Sequence, residues 1–162
     1  MPQQSYLTVE EATELLTNTI GAESWLSLTE SIKNASLIQA SFLIDSNFDW
    51  FGSITDPAQE LRWPRTGAVD RDGRQIPSDT VPNLIKYAVA LMALHLTKAG
   101  GISTVATNLK SLKVGPISLS MDSDESIASR IVPKMIVSLL NTLGFYTGLS
   151  NDSTAYNVRV LR

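Results

Sequence analysis

Between Leu61 and Pro82 the chain cannot form a regular helix or a central strand. Leu61-Arg62-Trp63-Pro64-Arg65-Thr66-Gly67 is followed by Val69-Asp70-Arg71-Asp72-Gly73 and then by Ile76-Pro77-Ser78-Asp79-Thr80-Val81-Pro82. Each proline fixes φ, removes a backbone donor and pushes the residue before it toward extended geometry. Asp72-Gly73 signals a turn, because Gly tolerates positive φ and Asp can bond its own backbone. Long structured loops are commonly functional or interfacial. This one holds Trp63 and the arginines Arg62, Arg65, Arg71 and Arg74, but no nucleophile–base pair and no metal-ligand cluster. It reads as a surface built to touch another macromolecule.

The flanks are helical in pattern. Thr8-Val9-Glu10-Glu11 has the form of a capping box and predicts a short helix to about Asn18, closed at Ile20-Gly21. Ser27-Leu28-Thr29-Glu30 repeats the signature. Behind it Ile32, Ala35, Ile38, Ala40, Phe42 and Leu43 predict a helix to about Asn47, broken by Asp49-Trp50-Phe51-Gly52. The aromatics at that break read as padding for the core edge. A third helix is expected from Val81 to Lys98, with Pro82 tolerated in its first turn. Its residues Leu84 to Leu96 are apolar almost all round, the mark of a helix buried on several sides.

Leu112, Val114, Ile117, Leu119 and Met121 alternate around Gly115-Pro116 and predict a hairpin over 109–121. Asp122-Ser123-Asp124-Glu125 opens another helical region. Pro133 divides it, leaving a main helix to Leu143 with Met135, Ile136, Leu139, Leu140 and Leu143 on its apolar face and Gly144 as C-cap. The segment 149–162 is β-prone at its end and reads as an extended tail, disordered or awaiting a partner edge. The expected fold is therefore mainly α: a helical bundle over 1–148 with a long loop at 49–80, a small β-hairpin element and an extended C-terminal tail.

Length and composition limit the function. A chain of 162 residues with 43% hydrophobic content can build one domain with a core. Without cysteine it has no disulfide and no thiolate metal site, so an intracellular folding compartment is the default. Met1-Pro2-Gln3-Gln4-Ser5 lacks the pattern of a signal peptide, and the longest apolar run, Tyr87 to Leu96, is too short to span a bilayer. The chain reads as soluble, with no membrane partner. A net charge of −3 argues against a surface that grips nucleic acid everywhere, though a local basic patch is compatible with it.

Chemistry is sparse. The single histidine, His95, lies in the apolar helix and reads as a packed or interface residue. Asp70-x-Asp72-Gly73 has the start of a calcium loop without its further oxygen ligands and closing Glu, so it reads as a turn. Asp122, Asp124 and Glu125 suit a helix N-terminus. Lys98-Ala99-Gly100-Gly101 lacks the spacing of a phosphate loop. No catalytic residue, cofactor or metal ligand is assigned, and the chain is not expected to be an enzyme.

Arginine interleaved with aromatic residues can grip single-stranded nucleic acid or anchor a protein interface. Glu60, Asp70 and Asp72 dilute the positive charge and favour protein contact. The candidate interaction residues are Arg62, Trp63, Arg65, Arg71 and Arg74 in the loop, with Tyr156, Val158, Val160 and Arg162 in the tail.

The series Tyr6-Leu7-Thr8-Val9-Glu10-Glu11-Ala12, Trp50-x-Gly52, Leu61-x-Trp63-Pro64-Arg65-Thr66-Gly67, Asp70-Arg71-Asp72-Gly73, Ile76-Pro77, Val81-Pro82 and Val114-Gly115-Pro116 resembles small tailed-bacteriophage proteins encoded near the portal and capsid genes. These are often labelled DnaT-like single-stranded-DNA-binding proteins, and they also look like head–tail connector (adaptor) proteins. The resemblance covers about Tyr6 to Leu143. It implies an adaptor in the virion neck, made in the bacterial host cytoplasm. Such an adaptor forms a homo-oligomeric, dodecameric ring below the portal protein and docks a tail or nozzle protein. Genomic DNA would pass through its lumen without specific recognition. The alternative is a single-stranded-DNA-binding protein of phage replication.

Overall fold

A computed structural model describes residues 4–98, 112–114, 117–119 and 132–148. In chain order the elements are α1 (Val9–Leu16), α2 (Glu23–Leu26), α3 (Glu30–Asn47), β1 (Phe48–Trp50), β2 (Ser53–Ile54), β3 (Arg65–Thr66), α4 (Asn83–Lys98), β4 (Leu112–Val114), β5 (Ile117–Leu119), α5 (Lys134–Leu140) and β6 (Gly144–Tyr146).

The capping box forms as the sequence predicts. Glu11 N–H donates to Thr8 Oγ1 at 3.3 Å and Thr8 N–H donates to Glu11 Oε2 at 2.8 Å, so two orphan donors of α1 are satisfied. The other Glu11 oxygen accepts from Lys86 Nζ at 2.8 Å, which ties the cap to α4. The Lys86 ammonium, and next the Thr8 amide, hold the Glu11 carboxyl below its ordinary pKa. Thr8→Ala is expected to lower the unfolding free energy by about 1 kcal/mol, with Thr8→Ser close to wild type. Denaturant unfolding followed by circular dichroism measures both.

α2 is an element the sequence reading lacked. It places Trp25 in the core, with the indole N–H donating to Thr13 Oγ1 of α1 at 3.0 Å. The second cap also differs from expectation. Thr29 is the N-cap of α3, with no side-chain cap bond, while Ser27 Oγ bonds the Ser24 carbonyl.

α4 is the centre of the molecule. Ile85, Ala88, Val89, Ala90, Leu91, Met92, Ala93, Leu94 and Leu96 are buried, and α1, α2, α3 and α5 pack around it. The expectation of a helix covered on several sides holds. Pro82 precedes its first residue, and the Pro82 carbonyl accepts from the Ile85 and Lys86 amides.

The mainly helical expectation is corrected. Alongside five helices, the described residues form antiparallel strand pairs, and the fold is a mix of α and β. β1 pairs with β6, matching Phe48 to Tyr146, Asp49 to Phe145 and Trp50 to Gly144. β2 pairs with β3 inside the segment read as one irregular loop. β4 and β5 pair around positions 115–116, as the alternation predicts. Gly144 opens β6 rather than capping a helix. A Cβ there would lie 2.8 Å from the Asp49 carbonyl and 3.0 Å from the Trp50 backbone, so the strands approach closely only because the side chain is absent. The helix region expected from Asp122 and the tail after 148 lie outside the described residues. Among the described residues no helix is long and apolar enough to cross a membrane.

Candidate nucleic-acid interface

The loop is held by a polar hub that the sequence reading did not identify. Asp45, near the end of α3, accepts from three segments. The Tyr6 hydroxyl lies 2.7 Å from both carboxylate oxygens, Trp50 Nε1–H donates at 3.1 Å and the Arg62 amide donates at 3.0 Å. Tyr6 Oη in turn accepts from the Trp63 amide at 3.1 Å. Burial raises the Asp45 pKa although all three donors favour the carboxylate. Burial, then the Asp45 charge, also pushes the Tyr6 hydroxyl up. Both groups are therefore fixed parts of the scaffold. An isolated Asp in Leu43-Ile44-Asp45 was the available signal for this hub.

Trp63 and Arg65, two of the predicted contact residues, face inward. Trp63 is 2% exposed and meets Trp50 edge-to-face at 5.9 Å. Burying an indole removes roughly 200 Å² from water, on the order of 5 kcal/mol of transfer free energy before entropy. Arg65 is 9% exposed, and its guanidinium donates to four backbone carbonyls: Phe51 at 2.8 Å, Arg62 at 3.2 Å, Trp50 at 3.3 Å and Gly52 at 2.6 Å. Five N–H donors in a rigid fork can serve four carbonyls at once, which an ammonium cannot. Burial, then the neighbouring Arg62, lowers the Arg65 pKa. Gly52 lies at φ +73°, and a Cβ there would collide with the Thr66 carbonyl, so the corner read by Arg65 requires glycine.

The remaining loop arginines divide. Arg74 is exposed and paired with Asp70 and Asp72. Asp70 Oδ1 also accepts the Asp72 and Arg74 amides at 2.9 and 2.8 Å, which holds the Asp70 carboxyl below its usual range. The carboxylates that began a calcium-loop pattern are thus used by the turn itself. Arg62 and Arg71 are exposed and, among the described residues, form no salt bridge. They are the cations of this loop open to an external anion. Tyr156, Val158, Val160 and Arg162 lie outside the described residues.

Between the turn at 70–72 and α5 runs a groove of about 810 Å³. Ile76, Pro77, Leu84, Leu139 and Leu143 supply apolar walls, and Arg71 lines it as well. Met135, expected on the buried face of α5, is 58% exposed and also lines this groove. The Leu143 carbonyl accepts from the Phe51 amide at 2.9 Å, so the groove adjoins the β1–β6 ribbon. There Phe145 is exposed against Phe51. His95, read from sequence as a packed or interface residue, is exposed near the end of α4. Partial burial and the Lys98 charge lower its pKa. No cluster of three or more metal-ligating side chains occurs among the described residues.

The family model described as "Putative DnaT-like ssDNA binding protein" matches residues 2–162. The chain belongs to this family. No curated protein and no solved structure matches it. The match corrects the adaptor expectation, because the family is described by single-stranded-DNA binding and not by head–tail joining. The portal, the tail or nozzle protein and the twelve-membered ring find no support in it. Within this DnaT-like family the geometry also changes the roles assigned in the loop: Trp63 and Arg65 build it, and Arg62 and Arg71 face out of it.

Proposed function

We propose that this chain binds single-stranded DNA, without catalysing a reaction, through the surface formed by the 61–82 loop and the β1–β6 ribbon. The observation that carries this reading is the family match across residues 2–162. The surface supports it chemically. Two exposed guanidinium groups can pair with phosphates, while an exposed ring and an apolar groove can receive bases, which show their faces only when unpaired. Elsewhere the described charges are mixed, with Glu10, Glu14, Glu23 and Glu30 alongside Lys33 and Lys98, and Glu11 paired with Lys86. With Arg62 and Arg71 as its open cations, this surface engages few phosphates.

The salt dependence of affinity tests this reading. For single strands, log Kd changes with log salt by about 0.7 per neutralised phosphate. Replacing both Arg62 and Arg71 by Ala is expected to weaken binding to a fluorescein-labelled dT20 at every salt concentration and to flatten that slope by about 1.4. Arg74→Ala, whose cation is already paired with Asp70 and Asp72, is expected to change the slope little. An unchanged slope in the double variant would remove these arginines from the interface.

A further inference from the structure

The β1–β6 ribbon turns one face to the core and one to solvent. Phe48 and Trp50 point inward, while Asp49 and its register partner Phe145 point outward. Phe145 is 66% exposed. It does not lie loose on the surface. Its ring meets Phe51 edge-to-face at 4.9 Å and 89°. Phe51 is held at both backbone polar groups: its amide donates to Leu143 and its carbonyl accepts from Arg65. In either sense of an edge-to-face contact, one face of the Phe145 ring stays open.

The same corner is tied through the backbone to Arg62. The Arg65 guanidinium that bonds the Phe51 carbonyl also bonds the Arg62 carbonyl at 3.2 Å, so one buried group ties the backbone of Phe51 to that of Arg62. Asp49 stands opposite Phe145 in register and repels phosphate from that side.

Resting on the single-strand reading above, we propose that Phe145, braced by Phe51, is a stacking platform for one unpaired base of single-stranded DNA, with Arg62 engaging the adjacent phosphate. Stacking on a ring is tolerant of sequence because every base has a π-face, so the platform supplies affinity rather than base identity.

The test uses the full chain and dT20 in fluorescence anisotropy, with thermal unfolding of each variant alongside. Phe145→Ala is expected to weaken binding by about tenfold while leaving the salt slope unchanged, since no charge is removed. Phe145→Leu, apolar but without a π-face, is expected to behave like Ala, and Phe145→Trp to bind at least as well as wild type. Wild-type affinity in Phe145→Ala would overturn the platform and leave the single-strand reading standing. Should Phe145→Ala unfold, the Leu and Trp variants decide: equal affinity in the two would overturn stacking. Failure of the wild-type chain to bind dT20 at low salt would overturn both.

Discussion

Asp45→Ala should lower the unfolding free energy by about 3 kcal/mol, although Asp45 is one side chain in a structure with a continuous apolar core. Its carboxylate is the shared acceptor for the Tyr6 hydroxyl, the Trp50 indole and the Arg62 amide. Removing it leaves Tyr6 and Trp50, both buried, as donors without this partner. Each buried donor left unsatisfied costs roughly 1–3 kcal/mol. Asp45→Asn restores the volume but not the chemistry. An amide offers one acceptor oxygen, and its NH₂ would face a donor where the second carboxylate oxygen now accepts. A double-mutant cycle with Tyr6→Phe separates the Tyr6–Asp45 coupling from the cost of each change alone.

The same residue gives a pH signature of definite sign. The folded pKa of Asp45 is raised, so the folded state holds this proton more tightly than the unfolded chain does. The stability it contributes is complete below the ordinary Asp value of about 3.9 and is lost as pH rises through the folded value. Glu11 and Asp70, with lowered pKa values, act oppositely: their contributions are present above the ordinary carboxylate range and lost as pH falls. The difference between wild type and Asp45→Asn isolates the first effect. It should shrink as pH rises through the folded Asp45 pKa. A difference that grows over the same window would contradict the assignment of burial as the dominant cause.

The second large effect is expected at Arg65. Arg65→Lys keeps the charge and most of the length, yet should cost about 2 kcal/mol, because an ammonium has three donors and no planar fork to reach four carbonyls. The contrast is with Arg62→Lys, three residues earlier and exposed, which should leave stability within about 0.5 kcal/mol of wild type. Urea denaturation midpoints with a constant m-value check both. Equal effects at the two positions would show that Arg65 does not organise the corner at Trp50–Gly52.

The contrast between Arg62 and Arg65 shows where sequence reasoning stops. Local signals were legible because they act over a few residues. Thr8 and Glu11 specify their cap, the apolar circumference of Leu84 to Leu96 announces a central helix, and alternation around Gly115-Pro116 marks the β4–β5 pair. The β1–β6 pair joins residues almost a hundred positions apart, and three-residue strands leave no periodic trace. Gly144 fits a helix C-cap as well as it fits a close strand crossing, and only the position of Trp50 decides between them. The Arg/Trp block reads in sequence as one contact surface, while the fold buries Trp63 and Arg65 and leaves Arg62 and Arg71 exposed. Arginine carries the same charge whether it bonds four carbonyls or faces solvent, and which it does depends on the fold returning Trp50 to Gly52 beneath Arg65. Phe145 went unnoticed because a phenylalanine beside a predicted helix end reads as core. Family membership also separated two functions, head–tail joining and strand binding, that one set of motifs had suggested together.

The most direct measurement is the affinity of the full chain for fluorescein-labelled dT20 against a 20-base-pair duplex at low salt, by anisotropy. Saturable binding to the single strand that weakens as salt is raised is expected, with weaker binding to the duplex, whose stacked bases offer no face to the ring. No binding to dT20 at low salt, or equal affinity for the two, would contradict the single-strand reading.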